Sequence, residues 1–329
     1  MRILVTGGTG FTGAALTLRL LKEGHDVVVL DNGRGIRFDQ LKAEGADIRL
    51  GDLRKQELVE ECVAGCDAVF HIAAAFRAVN RPDAHYYDVN VNGTRQLCEA
   101  SLAAGVSRFI NCSTCGVHGD IHPVPANEDA PIRPNDYYQQ TKHLAEEVLP
   151  GFHDSGLNTT TIRPLGIYGP GDPGRFLMLF RAVKRGVFPM FGDGRTLFHP
   201  VYIDNLVDSF LLALTQPPSP NGSRTYLVGD EEFLTLDELV RAVARSMGRA
   251  VRIVKLPYAP MHAFSAIVEG MCRPFRIPPP LFPRRVSWYR SDRAFTIERA
   301  KSELGYEPRI SLEEGLARTA RWYAENGFL

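Results

Sequence analysis

The sequence lacks a net charge, is poor in cysteine and has no long apolar run. Its 329 residues carry 38 basic and 38 acidic side chains, which excludes a nucleic-acid binder working through bulk positive charge. Six cysteines are too few for a disulfide scaffold. No uninterrupted apolar run approaches the roughly 18 residues of a membrane span.

No targeting segment is predicted at the N-terminus. Residues 1–5 run directly into a strand pattern, with neither a charged leader nor a cleavage site. Together with the low cysteine content, this predicts a cytoplasmic protein. Apolar residues make up 44% of the chain and charged residues 23%, a balance that predicts a globular fold with a substantial core.

What the sequence does have is a regular alternation of short β-rich runs and helical patterns over its first 165 residues. This alternation predicts an α/β fold built on a doubly wound parallel sheet. The predicted strands are 3–6, 27–31, 47–51, 68–72, 108–112 and 159–163, and the predicted helices are 12–23, 56–63, 91–104 and 138–149.

A glycine-rich turn follows the first predicted strand, with Gly7, Gly10 and Gly13 at regular spacing. Such glycines allow a tight turn, close approach of a pyrophosphate and packing of a helix on a strand. The N-terminus of the following helix adds free N–H groups and a partial positive charge. The turn therefore predicts a dinucleotide site.

Asp31 ends the second predicted strand, near the spacing expected of a ribose-binding acid. Its carboxylate would accept hydrogen bonds from the adenosine 2′- and 3′-hydroxyls and repel a 2′-phosphate. This favours NAD over NADP. Arg34 and Arg37 lie close enough in sequence to keep NADP as an alternative.

Tyr138 and Lys142 lie four residues apart at the start of a predicted helix, so they share one face. A phenol with an ordinary pKa of about 10 is a poor base at neutral pH. A neighbouring ammonium and a cationic nicotinamide ring would favour the phenolate. The pair therefore fits an acid/base residue with a partner that tunes its pKa.

With these motifs in place, the chain resembles the extended short-chain dehydrogenase/reductases, including the NAD-dependent epimerase/dehydratase family. The resemblance covers nearly the whole chain and implies a Rossmann-type fold. It rests on Gly7-x-x-Gly10-x-x-Gly13, Asp31, Gly51-Asp52-Leu53, His71-Ile72-Ala73-Ala74, Asn90-Val91-Asn92-Gly93-Thr94, Ser113-Thr114, Tyr138-x-x-x-Lys142, and Arg163-Pro164 followed by Tyr168-Gly169-Pro170-Gly171-Asp172.

The resemblance implies a role for each matched residue. Tyr138 is the implied general acid/base, Thr114 the hydroxyl that binds the same substrate oxygen, and Lys142 the anchor of the nicotinamide ribose. A hydride would move between the substrate carbon and the nicotinamide. The implied NAD-binding residues are Gly7, Gly10, Phe11, Thr12, Gly13, Asp31, Asn32, Asp52, Leu53, Ala73, Ala74, Asn90, Tyr138, Lys142 and Pro164.

Two further expectations concern domains and assembly. Residues 1–170 are the predicted NAD-binding domain, which 201–231 rejoins, and 171–200 with 232–329 form a smaller mixed α/β substrate-binding lobe. Segments 166–174 and 188–194 are predicted loops around a cleft, and helices are expected at 205–214, 236–247 and 312–326. Because family members commonly dimerise through two long helices, the resemblance implies a homodimer through 91–104 and 138–149.

Departures from the family pattern bear on the substrate. Dehydratases of this type carry Asp-Glu directly after the catalytic threonine, where this chain has Cys115-Gly116, so dehydration is disfavoured. Nucleotide-sugar members usually carry an arginine where this chain has Phe198. Substrate contacts are predicted at Cys115, His199, Arg175 and Arg195, with a structural role left open for His199 and with Arg181, Arg284 and Arg285 as further cations.

Two reactions remain open. The favoured one is a nucleotide-sugar 4-epimerase that uses Thr114, Tyr138 and Lys142, because 114–119 and 168–172 are most similar to sugar-acting relatives. The alternative is an NAD(P)-dependent dehydrogenase or reductase of a bulky secondary alcohol or ketone. It is favoured by the apolar stretch 257–283, which resembles the 3β-hydroxysteroid dehydrogenase-like branch and would form a lid.

Cysteine chemistry is disfavoured at the one C-x-x-C segment, Cys112 to Cys115, although His118 and His122 follow it. The segment leaves a predicted strand, where odd spacing sends two side chains to opposite faces. No metal site is predicted.

Overall fold

The protein is described by a computed structural model over residues 1–76, 82–220, 222–272, 279, 283–287 and 289–329, without the side chains of residues 284 and 285. Its strands are β1 (Arg2–Thr6), β2 (Asp26–Asp31), β3 (Asp47–Leu50), β4 (Ala68–His71), β5 (Arg108–Cys112), β6 (Asn158–Pro164), β7 (Gly166–Tyr168), β8 (Val187–Phe191), β9 (Leu197–Phe198), β10 (Pro200–Tyr202), β11 (Arg224–Val228), β12 (Leu234–Thr235) and β13 (Arg252–Leu256).

The helices are α1 (Phe11–Lys22), α2 (Phe38–Ala43), α3 (Gln56–Val63), α4 (Asp83–Tyr87), α5 (Gly93–Ala103), α6 (Tyr137–Asp154), α7 (Arg175–Lys184), α8 (Ile203–Thr215), α9 (Leu236–Ser246), α10 (Tyr258–Cys272), α11 (Pro283–Ser287), α12 (Glu298–Leu304) and α13 (Leu312–Glu325). A π-helical segment, Asp88–Asn92, leads into α5, and a short 3₁₀ turn, Cys115–His118, follows β5.

Seven of the described strands form one parallel sheet in the order β11-β6-β5-β4-β1-β2-β3. The chain runs outward from β1 through β2 and β3, then crosses back to β4 and runs outward on the other side. The strand order therefore reverses between β1 and β4, which opens a crevice at the carboxyl ends of these strands. The predicted Rossmann-type doubly wound sheet is confirmed.

Both faces of this sheet are covered, as the continuous apolar strands require. On β1, Ile3 and Val5 point into one core cluster, whereas Leu4 points into another on the opposite face. Helices α1, α8 and α12 complete the first cluster, and α3, α5 and α6 complete the second. The crevice between β1 and β4 is thus held by packed layers on each side.

A third core cluster lies in the C-terminal half and joins α7, α9 and α13. Its aromatic members include Tyr168, Phe180 and Tyr323, and the Tyr323 hydroxyl donates to the Asp172 carbonyl at 2.7 Å. Small two-stranded sheets pair β7 with β10, β9 with β12 and β8 with β13. The domain boundary near residue 170 stays a prediction. Tyr168, which precedes that boundary, already belongs to this third cluster.

Regular structure occurs in two predicted loops. Segment 166–174 contains β7, and 188–194 overlaps β8, which pairs in parallel with β13 despite Pro189. A two-stranded sheet has only edges, where a missing N–H is tolerated. Helix α7 was not predicted, although Phe176, Phe180 and Val183 follow helical spacing.

The apolar stretch 257–283 forms α10 and reaches the start of α11. Between these helices, 273–278 and 280–282 lie outside the described residues, so the predicted lid is described only in part. In the part of the chain that the structure describes, no helix has the length and apolar character needed to cross a membrane.

Candidate active site

The glycine-rich turn lies at the reversal of strand order, between the ends of β1 and β4. Gly7 adopts a left-handed φ of +69°, and a Cβ atom there would lie 2.8 Å from the Cα atom of Ala73. A Cβ at Gly13 would lie 2.1 Å from the Gly7 carbonyl oxygen. Only glycine fits these positions, and the turn leads directly into α1, which begins at Phe11 and Thr12. The backbone therefore forms a cradle that fits a pyrophosphate.

Asp31 stands beside this cradle at the end of β2. Its carboxylate accepts hydrogen bonds from the Thr9 backbone N–H at 2.9 Å and the Thr9 hydroxyl at 2.7 Å, and from the Gly33 N–H at 3.2 Å. These contacts fix the acid at the mouth of the turn, next to the exposed Asn32. The placement fits a carboxylate that binds ribose hydroxyls.

The two arginines that kept NADP as an alternative are engaged elsewhere. The Arg37 guanidinium donates to the Pro170 carbonyl at 2.9 Å, which ties the β2 loop to the far side of the crevice. The Arg34 guanidinium lies over the Phe38 ring, 4.8 Å from its centroid. Neither contact directs a guanidinium toward Asp31. The arrangement therefore favours NAD over NADP.

Asp52 and Leu53, two of the implied NAD-binding residues, follow the end of β3. A hydrogen bond and ion pair with Arg54, at 2.6 Å, lower the pKa of the Asp52 carboxyl to about 2. Leu53 is buried against Gly93, where an added Cβ would lie 3.0 Å from a Leu53 methyl. Asp52 is therefore charged at neutral pH, and Leu53 anchors the loop to the start of α5.

A chain of hydrogen bonds joins the end of β1 to the helix beyond β4. The Thr94 hydroxyl donates to the Asn90 carbonyl at 2.6 Å, so it accepts from His71 Nε2, 2.9 Å away. His71 Nδ1 then accepts from the Thr6 hydroxyl at 2.8 Å, and Thr6 accepts from the Ala73 N–H at 3.3 Å. Burial lowers the pKa of His71 to about 3, with the Lys142 charge acting in the same direction, so the ring is neutral. His71 is thus a structural residue that fixes the turn at Ala73 and Ala74.

Asn90 connects the same loop to α6. It lies in the π-helical segment, a local widening that often marks a functional position. Its side-chain oxygen accepts from the Ala75 N–H at 2.7 Å, and its amide donates to the Thr141 hydroxyl at 2.9 Å. Thr141 in turn donates to the Tyr138 carbonyl at 2.9 Å. The crevice loop and the first turn of α6 are therefore held as one unit.

Helix α6 presents Tyr138 and Lys142 one turn apart. Asp136 caps the helix by accepting from the Gln139 N–H at 2.9 Å, and the Phe76 ring lies 4.9 Å from the Tyr138 ring. Lys142 is 1% exposed, and no residue in the described part of the chain forms a hydrogen bond or ion pair with its ammonium. Burial lowers the pKa of Lys142, while Cys112 and Glu146 oppose that shift. A buried ammonium in this condition is costly unless a ligand pairs with it, so Lys142 fits a cofactor anchor.

Thr114 follows β5, the neighbour of β4, and reaches the same end of the sheet. Its hydroxyl oxygen accepts from the Gly116 N–H at 3.1 Å, which leaves the hydroxyl proton available to a substrate oxygen. The turn after it contacts α6, since a Cβ at Gly116 would lie 3.1 Å from the Gln139 side chain. Thr114 and Tyr138 therefore lie on adjoining elements.

A charged cluster lies behind Lys142. Arg163 on β6 binds both carboxylate oxygens of Glu146, at 3.0 Å and 2.5 Å, and donates to His118 Nε2 at 3.0 Å. Burial raises the pKa of Glu146, but His143 and Arg163 outweigh it and bring the value to about 2. Pro164 continues β6 beside Val228 of β11. The cluster fixes α6 against the sheet.

The residues expected on the substrate side are dispersed. Cys115 follows Thr114; burial raises its pKa to about 11, although the charges of Arg293 and Arg175 lower it. His199 is buried, donating from Nε2 to the Asp230 carbonyl at 2.8 Å and accepting at Nδ1 from the Phe295 N–H at 3.4 Å, contacts typical of a structural histidine. Arg195 has a side chain that is 88% exposed.

All six cysteines are free thiols. No set of three or more His, Cys, Asp or Glu side chains within the described ranges is arranged to bind a metal. The side chains of Arg284 and Arg285 lie outside the described residues.

Sequence reasoning missed two contacts at the site: Phe76 against Tyr138, and the hydrogen bond of Arg37 to Pro170. Each is brought in by a contact between segments distant in the chain. Only Arg37 had a local signal, its position shortly after Asp31.

Comparisons with known proteins agree with this geometry. Residues 3–229 match the model of the NAD dependent epimerase/dehydratase family. The chain is 33% identical to 2-alkyl-3-oxoalkanoate reductase of Stenotrophomonas maltophilia (strain K279a), covering 97% of this chain and 98% of the relative. It is 31% identical to a 3-beta-hydroxysteroid dehydrogenase of Mycolicibacterium neoaurum, covering 98% and 92%.

Among solved structures, the fold is similar to a UDP-glucose 4-epimerase of Thermotoga maritima with UDP-glucose, at a TM-score of 0.80 and 26% identity, covering 99% of each chain. The chain belongs to the NAD-dependent epimerase/dehydratase family. It is an NAD-dependent enzyme of the extended short-chain dehydrogenase/reductase type.

Proposed function

We propose that the protein is an NAD-dependent dehydrogenase or ketoreductase that acts on a bulky, largely apolar secondary alcohol or the corresponding ketone. The observation that carries the proposal is Phe198, which occupies the position where nucleotide-sugar members usually carry an arginine. Its ring is buried, 6.0 Å from the Phe176 ring. A Cβ at Gly166 would lie 2.2 Å from the Phe198 ring, so the aromatic side chain fills this space. A diphosphate would meet no guanidinium from this position.

The relatives support the same choice. The Stenotrophomonas enzyme is named for a 3-oxoalkanoate and the Mycolicibacterium enzyme for a 3-hydroxysteroid. Both names describe chemistry at an oxygen-bearing carbon of a largely apolar skeleton. Since each relative is at least 31% identical to almost the whole chain, the likeness includes the C-terminal half that would hold the substrate.

The site residues have distinct tasks in this proposal. Bound NAD supplies the hydride acceptor or, when reduced, the hydride donor. Lys142 anchors the nicotinamide ribose, and its charge favours the phenolate of Tyr138. Tyr138 takes the proton from the substrate hydroxyl or returns it, and Thr114 holds the same oxygen. Asp31 binds the adenosine ribose, and the turn from Gly7 to Gly13 binds the pyrophosphate.

A substrate panel tests the proposal. The purified protein is incubated with NAD and, in separate reactions, a 2-alkyl-3-hydroxyalkanoate, a 3β-hydroxysteroid or UDP-glucose. NADH is followed by its absorbance, and the sugar nucleotide is analysed by chromatography. We expect NADH formation with at least one of the apolar alcohols and no conversion of UDP-glucose. Conversion of UDP-glucose to its 4-epimer without NADH release would contradict the proposal.

A nucleotide-sugar 4-epimerase is the second candidate. It is supported by the similarity of 114–119 and 168–172 to sugar-acting family members and by the fold shared with the Thermotoga epimerase. Arg175, which begins α7, would have to bind the diphosphate in place of the residue at 198. An epimerase retains its cofactor through the cycle. Stoichiometric NAD released from the denatured, freshly purified protein would therefore favour this candidate.

We also propose a homodimer through α5 and α6, which correspond to the helices 91–104 and 138–149. The two helices pack against each other in one protomer and expose Arg95, Glu99, Leu102 and Glu147. Light scattering coupled to size-exclusion chromatography tests this. A mass near 73 kDa, twice the 36.5 kDa of one chain, is the expected result.

A further inference from the structure

Arg163 is a buried arginine that contacts two parts of the candidate active site at once. It lies on β6, next to the end of β5, and is 7% exposed. Its Nε and Nη2 atoms donate to the two carboxylate oxygens of Glu146 on α6, and its Nη1 atom donates to Nε2 of His118 at 3.0 Å. Because a guanidinium holds its donors in one rigid plane, these bonds fix Glu146 and His118 relative to each other.

Glu146 belongs to the side of α6 that carries the proposed acid/base residue. Tyr138, Lys142 and Glu146 follow one another at intervals of four residues along this helix. Such spacing places the three side chains in a row. A bidentate pair between a guanidinium and a carboxylate adds geometric specificity to the attraction of opposite charges. The pair with Arg163 therefore fixes this side of α6 relative to β6.

His118 ends the 3₁₀ turn that begins directly after Thr114. Because an arginine side chain only donates, His118 Nε2 accepts from Arg163 and Nδ1 carries the proton, which it donates to the Ala130 carbonyl at 3.0 Å. Burial and the charge of Arg163 lower the pKa of the His118 ring, so the ring is neutral at pH 7. The Phe295 ring packs beside it, with centroids 5.6 Å apart. The ring therefore has one fixed orientation, and Arg163 holds the turn through it.

We propose that Arg163 is a positioning residue that sets the distance between the hydroxyl groups of Thr114 and Tyr138. It acts on Thr114 through His118 and on Tyr138 through Glu146. Two hydroxyl groups that bind the same substrate oxygen have to be held within about 0.5 Å of the productive geometry. The inference rests on the proposed roles of Thr114 and Tyr138, and it applies to either of the two candidate reactions.

The two connections of Arg163 differ in how cleanly they can be broken. Removing the link to α6 breaks a buried ion pair, which also destabilises the fold. The link to the turn is a single hydrogen bond to the neutral His118 ring. Its loss leaves the pair of Arg163 and Glu146 in place. Position 118 is therefore where a positioning role can be separated from a contribution to folding.

Two substitutions at His118 form a matched pair. The amide of asparagine ends near the position of Nδ1, so His118→Asn keeps a donor for the Ala130 carbonyl and loses the acceptor for Arg163. The amide of glutamine reaches the position of Nε2, so His118→Gln keeps that acceptor. We expect kcat to fall about tenfold in His118→Asn, because the Thr114 hydroxyl is displaced. In His118→Gln we expect kcat within about threefold of the wild type.

The measurements use the full-length protein. Steady-state kinetics are recorded with whichever of the 2-alkyl-3-hydroxyalkanoate, the 3β-hydroxysteroid and UDP-glucose the wild type converts. NAD affinity, measured by fluorescence titration, should be unchanged in both variants, because the turn from Gly7 to Gly13 is untouched. Circular dichroism verifies that each variant is folded at the assay temperature.

A double-mutant cycle with Thr114 identifies the route of the effect. Thr114→Val lacks the hydroxyl that His118 is proposed to place, so His118→Asn should lower kcat by less than about twofold in that background. A purely structural role would cost the same factor with and without this hydroxyl. Equal losses in the two backgrounds, equal losses in His118→Asn and His118→Gln, or an unchanged kcat in His118→Asn would overturn the inference. Full activity of Thr114→Val would instead contradict the proposed role of Thr114, and the inference would be lost with it.

Discussion

The cofactor side and the substrate side of the crevice are built differently. On the cofactor side, His71, Asn90 and Thr141 are buried, and each is hydrogen-bonded to a residue of another element. On the substrate side, Arg175 is exposed and His199 is bonded to backbone atoms. The ends of the parallel strands therefore fix the chemistry that the family shares, whereas the surrounding lobe determines which substrate binds.

The largest effect is expected at Tyr138. Tyr138→Phe removes the phenolic proton carrier without altering the ring, so we expect kcat to fall by about 10²-fold or more. NAD affinity should remain, because Lys142 and the glycine turn are unchanged. Steady-state kinetics and NAD titration by fluorescence provide the two measurements.

Tyr137→Phe is the matched control for this change. Tyr137 is the preceding residue and contacts Tyr86, with ring centroids 6.4 Å apart. Its substitution should leave kcat within about twofold, as for most partly exposed positions outside a site. Equal losses in the two variants would show that the helix start, rather than the Tyr138 hydroxyl, supports turnover.

The next largest effect is expected on stability, at the cluster behind Lys142. Glu146→Gln leaves the buried Arg163 guanidinium without its charged partner, and we expect the free energy of unfolding to fall by about 3 kcal/mol at pH 7. Chemical denaturation followed by circular dichroism measures the change. Glu147→Gln is the control, because the Glu147 side chain is 58% exposed and its interaction with His143 is weak.

The pH dependence of the same group has a definite sign. The pKa of Glu146 lies at about 2 in the folded protein, below the ordinary value of 4.5. The unfolded chain therefore binds this proton first, and the stabilisation is present above pH 4.5 and is lost as the pH falls toward 2. The gap in stability between wild type and Glu146→Gln should narrow over that interval. A constant gap down to pH 2 would contradict the assignment.

A smaller effect is expected at Asp31. Asp31→Ala removes the acceptor for the Thr9 N–H and hydroxyl and for the ribose, so we expect NAD to bind about tenfold more weakly. NADP should lose less, because its 2′-phosphate no longer meets a carboxylate. Asp39→Ala, at an exposed position on α2, is the control. Unchanged affinities for both cofactors in Asp31→Ala would remove Asp31 from the cofactor site.

Much of the cofactor side could be predicted from the sequence, because its determinants are local. Gly7, Gly13 and Asp31 act through backbone geometry or through their place at a strand end. The lysine four residues after Tyr138 follows from helix periodicity. These features need no knowledge of distant contacts.

The substrate side could not be predicted in the same way. Burial of His199 depends on Asp230 and Phe295, which lie far from it in the chain. Strand β8 is stabilised by pairing with β13, some 65 residues later along the chain. Pro189 within β8 argues against a strand when the local sequence is considered alone. Long-range pairing of this kind leaves little trace in local composition.

The smallest effects are expected at Arg195 and Arg175, both of which the sequence predicts as substrate contacts. The Arg195 side chain is 88% exposed, and its distance of 4.0 Å from Asp193 is that of a weak surface pair, so Arg195→Ala should change kcat/KM by less than about twofold. Arg175 is exposed at the start of α7, and the sequence predicts it as a substrate contact. Arg175→Ala should therefore raise KM by about threefold to tenfold for a substrate with a carboxylate and have less effect on a neutral sterol. Steady-state kinetics on both substrates measure the contrast. A loss of the same size for both substrates would make Arg175 a structural residue rather than a substrate contact.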